Sequence, residues 1–243
     1  MNYGIQMYSL RDITGTDLEG ALAAVAEMCY QNVEFAGFFG HSAEEVRAML
    51  ERHHLEVSGT HSGLGELTGN FAETVKFHKA IGNKQFIIPG HDLSTRAKLD
   101  EFIDACNELA PKLHAEGIEL GYHNHSHEFY TTEEGYQIHA ELEKRCKVFF
   151  ELDTYWTFVA KLDPVATMER LGDRIRCIHL KDGSADGKGC SLGSGEAPVA
   201  AVRKKAIESG YGIVVESEGL EPTGKEEVKR CIDYLKALDA QDK

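Results

Sequence analysis

Val148-Phe-Phe-Glu-Leu-Asp-Thr-Tyr-Trp156 reads as a strand that is apolar through its middle and polar at its end. Side chains alternate faces along a strand, so Val148, Phe150 and Leu152 share one side and Phe149, Glu151 and Asp153 the other. A carboxylate pair on an otherwise apolar run is costly to bury unless something neutralises it. Two later segments repeat the design. Arg176-Cys-Ile-His-Leu-Lys-Asp182 puts His179 and Lys181 on one side of a strand end, and Ile213-Val-Val-Glu-Ser-Glu218 does the same with Glu216 and Glu218. Three apolar strands that finish in Asp, His or Glu imply strand ends converging on one metal-binding pocket.

Upstream of this stretch the same strand-then-helix rhythm recurs. Gly4–Ser9, Asn32–Phe35, Leu55–His61, Gln85–Pro89 and Ile118–His123 read as strands. Between them fall helices with apolar residues three or four apart: Leu18 to Cys29, Val46 to Leu50, Phe71 to Ile81, and Ser94 to Ala115 with Pro111 as an internal bend. Thr16-Asp-Leu-Glu19, Ser42-Ala-Glu-Glu45 and Thr223-Gly-Lys-Glu226 fit capping boxes. Gly117 stands where a left-handed helix end is wanted. Downstream come a short helix at Gln137–Lys144, the strands Ile175–Leu180 and Gly212–Val215, a glycine-rich loop at Gly187–Gly195 and helices from Pro164, Pro198 and Thr223. Strict alternation implies a parallel sheet, and eight units imply one closed (β/α)8 barrel of the α/β class over residues 1–243. An open doubly wound sheet would need a Gly-x-Gly-x-x-Gly loop after an early strand, and none is there.

The 243 residues, 42% hydrophobic, suit a single barrel of about 250 residues. A net charge of −14 argues against a nucleic-acid binder, which presents a basic face. The six cysteines are scattered without a Cys-x-x-Cys pair, and no apolar run approaches the ~20 residues of a membrane span. The expectation is a cytoplasmic protein with no membrane and no nucleic-acid partner, with a homo-oligomer left open.

Active sites of such barrels lie at the C-terminal strand ends. The polar candidates there are Gln6, Glu34, His61, His123, His125, Asp153, His179, Lys181 and Glu216. Each has a plainer reading on its own: a solvated histidine, a strand-end carboxylate paired with a helix, a lysine bridged to Asp182. Carboxylate, imidazole and carboxylate together suit a divalent ion of intermediate hardness, Mn²⁺, Co²⁺, Zn²⁺ or Mg²⁺. Gly121-Tyr-His-Asn-His-Ser-His-Glu-Phe129 adds a histidine-rich loop in which His123 and His125 share a side. Its spacing matches no zinc motif.

Taken in order, Gly4-Ile-Gln-Met-Tyr-Ser-Leu-Arg11, Val33-Glu-Phe35, Gly121-Tyr-His-Asn-His125, Glu151-Leu-Asp-Thr-Tyr-Trp156, His179-Leu-Lys-Asp182, Leu192-Gly-Ser-Gly-Glu196 and Val215-Glu216 resemble the xylose isomerase-like sugar phosphate isomerase/epimerase family along the whole chain. The resemblance implies one Mn²⁺-type ion held by Glu, Asp, His and Glu on strands five to eight. Asp153, His179 and Glu216 match the last three ligands. The strand-five Glu would fall near Gly121, and Glu128 is the substitute expected to reach back from the loop, with His125 second. Related dehydratases use a strand-five histidine and the lysine of His-x-Lys, which correspond to His123 and Lys181.

The shared chemistry is removal of a proton next to a carbonyl, with the ion stabilising the enediolate charge. Glu216 is the expected base, His123 or Glu128 the group on the opposite face, and Lys181 the source of positive charge or of a proton for a leaving hydroxide. Glu34, His61, His125, Trp156 and Arg11 are the expected substrate contacts, with Tyr8 and Phe38 as further candidates for an apolar wall. The first expectation is an isomerase or epimerase of a sugar or keto-sugar. The second is a lyase dehydrating a keto-polyol such as a ketoinositol. An endonuclease at abasic sites and a barrel that binds without turnover are the remaining alternatives.

Overall fold

A computed structural model of the chain describes residues 1–242. Eight parallel strands close into a barrel: β1 Gly4–Gln6, β2 Asn32–Phe35, β3 Glu56–His61, β4 Gln85–Ile88, β5 Glu119–His123, β6 Phe149–Asp153, β7 Ile175–Leu180 and β8 Gly212–Val215. Each pairs with its neighbours in sequence, and β8 closes on β1 through Gly4↔Val214 and Ile5↔Val215. The expected (β/α)8 TIM barrel is what the chain forms.

Outward-facing Phe35, Phe86, Tyr122, Phe150 and Leu152 are fully buried against the surrounding helices. Inward-facing Ile87, Phe149 and Cys177 make a separate apolar floor inside the barrel. Above that floor every inward position from β5 to β7 is polar, because strand pairing sets His123 beside Glu151, Glu151 beside Cys177 and Asp153 beside His179. Gly121 is part of this arrangement: a Cβ there would run into the Phe149 ring. Strand five therefore lacks a side chain at that level because the neighbouring strand already fills the space.

Local signals hold with three adjustments. Ser42 and Glu45 form the expected capping box, and Thr223 caps the final helix Gly224–Gln241. The first long helix, Leu18–Glu27, is capped by Asp17 rather than Thr16, since the Asp17 carboxylate accepts from the Gly20 amide at 2.8 Å. The helix expected to start at Phe71 begins at Leu64 and kinks at Asn70 (φ −153°), which is why the apolar spacing looked shorter. The glycine-rich segment after β7 contains a two-stranded antiparallel ribbon, Asp182–Gly183 with Gly189–Cys190. No described helix is long and apolar enough to cross a membrane.

Candidate active site

The inward side chains above the apolar floor form two tiers. In the lower tier, His61 Nε2 lies 2.7 Å from Glu151 Oε2 and 3.1 Å from Glu34 Oε1. His179 Nε2 lies 2.8 Å from Glu34 Oε1 and 3.3 Å from Glu151 Oε2. The Gln6 amide donates to Glu34 Oε1 at 2.5 Å and the Cys177 thiol to Glu151 Oε1 at 3.2 Å. Both carboxyls are fully buried, and they divide the charge unequally. Burial opposes ionisation of Glu34, but His61 and His179 outweigh it and hold the group at about 2. Burial and then the Glu34 charge push Glu151 up to about 7. Two carboxyls in one dry space cannot both ionise cheaply, so one keeps its proton.

In the upper tier, Asp153 ends β6 and caps the short helix Thr154–Val159, its Oδ1 accepting from the Trp156 amide at 2.8 Å. Its Oδ2 is buried and accepts no hydrogen bond. Facing that oxygen are Lys181 Nζ at 3.3 Å, His123 Nε2 at 3.8 Å and His179 Nδ1 at 4.0 Å. Glu216 Oε2 sits 3.1 Å from His179 Nδ1 and 3.0 Å from Lys181 Nζ. The Lys181 ammonium also donates to Glu218 Oε1 at 2.5 Å and stands 5.0 Å over the Trp156 ring. Burial disfavours its charge, but Asp153, Glu216 and Glu218 outweigh that and raise its pKa. Glu216 is held well below the usual carboxylate range: burial opposes this, and Lys181 and His179 prevail. His123 is driven the other way by burial and by the neighbouring His179 and His61, so it stays neutral.

A cavity of about 450 Å³ opens above these tiers. His61, His123 and Glu216 form its floor, and Tyr8, Trp156 and Glu218 its sides, with His125 at the edge. The structure thus brings together His61, His123, Asp153, His179, Lys181, Glu216 and Trp156, with Glu34 in the tier beneath.

Three expected residues lie elsewhere. Glu128 does not join Asp153, His179 and Glu216. It is buried under β5, where the Tyr122 hydroxyl donates to Oε1 at 3.0 Å and the His125 amide to Oε2 at 2.8 Å. The strand-five side chain that does face Asp153 is His123. Arg11 is turned along the rim, donating to the backbone carbonyls of Tyr8 (3.2 Å) and Glu218 (2.6 Å). Phe38 packs on Phe35 and Phe77 instead of walling the cavity. Lys181 is buried away from Asp182, so the plainer reading of a surface ion pair between them fails.

Two residues that strand parity pairs with Asp153 and Glu216 were not among the expected site residues. Glu151 has the same strand parity as Asp153, which was its available signal. Glu218 has the parity of Glu216, but it lies beyond the end of β8.

The donor set suits a divalent cation. Asp153, His179 and Glu216 each offer an atom within 4.8 Å of the others, and the Asp153 oxygen is buried without a hydrogen bond. His61, His123, Glu151 and His179 form a second such group below, and His125, His127 and Glu128 a third on the loop.

A closed parallel barrel whose strand ends gather acids and imidazoles under one cavity belongs to the class of barrel enzymes with the site at the C-terminal face. The chain is a member of the xylose isomerase-like TIM barrel family, whose model matches residues 22–238. Two solved structures, each of a sugar phosphate isomerase/epimerase from Parabacteroides distasonis, are similar to it. One has a TM-score of 0.84 at 24% identity over 97% of this chain and 93% of that one. The other has a TM-score of 0.83 at 28% identity over 97% and 98%. A probable 3-DHS dehydratase involved in petrobactin synthesis from Bacillus anthracis shares the fold, with a TM-score of 0.78 at 14% identity over 97% and 99%. No curated protein matches the sequence.

Proposed function

We propose that the chain is a divalent-metal-dependent isomerase or epimerase of a sugar or keto-sugar. The observation that carries this reading is the convergence of Asp153, His179 Nδ1 and Glu216 on one buried point beneath an open cavity. These three would hold the ion, with His123 in place of Glu128 as the strand-five donor. Bound there, a divalent cation supplies Lewis-acid stabilisation of oxyanion charge. Manganese is the first ion to try, with magnesium, cobalt and zinc as alternatives. The substrate is a small carbohydrate and the setting cytoplasmic.

This chain's own residues supply the rest. Glu216, kept ionised by Lys181 and His179, takes the proton next to the substrate carbonyl from the strand-eight side. Neutral His123 stands on the strand-five side of the same floor; where it is left off the ion, it is in the protonation state needed to exchange a proton with the opposite face. The Lys181 ammonium adds fixed positive charge where the enediolate oxygens develop negative charge. Trp156 and Tyr8 offer flat faces to the C–H side of a sugar and exclude water.

The test is deuterium wash-in from ²H₂O across a panel of keto-sugars, with the protein metal-loaded and then chelator-treated. The expected result is exchange at one carbon that is lost on chelation and restored by the ion. No exchange on any keto-sugar with a metal-replete protein sinks the reading.

One observation favours a second reading, a lyase dehydrating a keto-polyol such as a ketoinositol: a buried ammonium within reach of the same oxygens is placed to protonate a leaving hydroxide. Loss of water alongside exchange, abolished by Lys181→Met, would select it.

A further inference from the structure

We infer that the pocket takes an uncharged polyhydroxy ketone and rejects its phosphate ester, with Glu218 as the specificity-determining residue. This rests on the keto-sugar reading above and adds the substrate class. Three separate observations carry it.

The first is the cavity lining, which among the described residues contains two carboxylates, Glu216 and Glu218, and no arginine or lysine. The second is that the nearby cations are already committed. Lys181 Nζ meets Asp153, Glu216 and Glu218 at 3.3, 3.0 and 2.5 Å, three carboxylates for one ammonium. Arg11 spends its guanidinium on the Tyr8 and Glu218 carbonyls and stacks 4.6 Å from the centre of the Tyr8 ring.

The third is the loop after β7. Barrels that bind phosphate commonly do so with backbone amides of the loops following strands seven and eight. Here four amides of the loop after β7 are filled from within the chain. Asp182 Oδ2 accepts from Gly193 (2.8 Å) and Gly195 (3.0 Å), and Oδ1 accepts from Gly183 (2.8 Å) and Ala197 (3.1 Å). The Asp182 carboxylate is buried among these amides, and a Cβ on Gly195 would run into it. A phosphate dianion held away from the ion that Asp153, His179 and Glu216 would bind would face the Glu218 carboxylate, with no free donor cluster in the lining to receive it. A neutral sugar would find the Tyr8 and Trp156 faces and, in the Glu218 carboxylate, an acceptor for a hydroxyl.

Matched pairs decide the matter: a ketohexose against its 1-phosphate and 6-phosphate, and a keto-polyol against its phosphate, on the metal-loaded protein. Binding is read by calorimetry, exchange by deuterium wash-in, and inorganic phosphate is added as a competitor. The expected result is binding of the neutral member at least about tenfold tighter than its ester, the scale set by like-charge juxtaposition. Inorganic phosphate should not inhibit, and Glu218→Gln, with a wild-type melting curve, should move the ratio toward one. Equal or tighter binding of an ester, competitive inhibition by phosphate, or an unchanged ratio in Glu218→Gln would overturn the inference. Because binding is read without turnover, selective binding with no exchange would sink only the proposed chemistry, and exchange on the ester in preference to the sugar only this inference. If no member of any pair binds, both fall.

Discussion

The two tiers of polar side chains inside this barrel share His179 and solve the same problem by different means. The upper tier buries Asp153 and Glu216 and offsets them with a lysine ammonium. The lower tier buries Glu34 and Glu151 with no lysine or arginine among the described residues in contact, and offsets them with protonated imidazole and a retained carboxyl proton. The upper tier faces a cavity, whereas the lower one touches that cavity through His61 and is sealed below by Ile87, Phe149 and Cys177. The difference assigns each tier a task. A charge-paired group that keeps its lysine beside an open cavity suits chemistry, and a closed hydrogen-bonded group suits orientation. Glu34 and Glu151 hold the Nε2 edge of His179, which leaves Nδ1 aimed at Asp153 and Glu216.

If that division is right, removing an acid from the upper tier should cost far more turnover than removing one below. Glu216→Gln is expected to lower the deuterium wash-in rate by about 10²–10⁴, the usual worth of a positioned acid or base. Glu151→Gln keeps a hydrogen-bonding side chain in the sealed tier and should stay within about tenfold of wild type. Equal losses in the two variants would erase the distinction between the tiers.

A second test asks whether the lower tier acts through His179. Glu34→Gln removes the charge that faces Nε2 but leaves an oxygen to accept from it. The expected effect is metal binding weaker by roughly 10- to 100-fold, measured by competition with a chelating dye, with the circular-dichroism spectrum of the folded protein preserved. Unchanged affinity would mean that the imidazole is oriented by packing alone.

How much of this was legible in the sequence follows the range of the interactions. The barrel was readable because strand and helix periods are local, and because Asp153, His179 and Glu216 each end an apolar run. Parity even placed Glu151 on the inward face, but its partner His61 lies 90 residues away, and nothing local announces that pairing. Gly121 was visible as a missing side chain, yet its reason is the Phe149 ring on the next strand. Glu128 looked free to reach the pocket because the hydroxyl of Tyr122 that detains it points out of the opposite side of β5. Asp182 read as a lysine's neighbour, although the glycine-rich loop folds back to claim it.

The lower tier also makes a pH prediction, best read on chelator-treated protein. Burial beside Glu34 raises Glu151 from 4.5 to about 7. Between those values the folded chain holds more protons than the unfolded one, so this group makes stability fall as pH rises through the window, and the effect levels off above about 7. Glu34, held at about 2, acts in the opposite sense and only below its ordinary value. Melting temperature against pH, compared between wild type and Glu151→Gln, should therefore differ in slope between about 4.5 and 7, with the variant gaining relative stability toward neutral pH. Parallel curves would show that Glu151 is ionised in the fold and that the two carboxyls do not share their charge as described.

The smallest effect on the metal is expected from Glu128→Gln, and it separates the tiers from the loop beside them. Glu128 is fully buried, and its two oxygens are engaged by Tyr122 and by the His125 amide, so its attachments belong to the β5 turn and not to either tier. A glutamine keeps one acceptor oxygen and presents an NH₂ group where the other acceptor stood. One buried donor is then left unmatched, at a cost of about 1–3 kcal/mol. Urea denaturation should register that loss, while bound metal per chain should match wild type. If instead the variant folds with wild-type stability and leaves its ion behind, Glu128 is a ligand after all. The strand-five position would then belong to the loop, and His123 would be free to act purely in proton transfer.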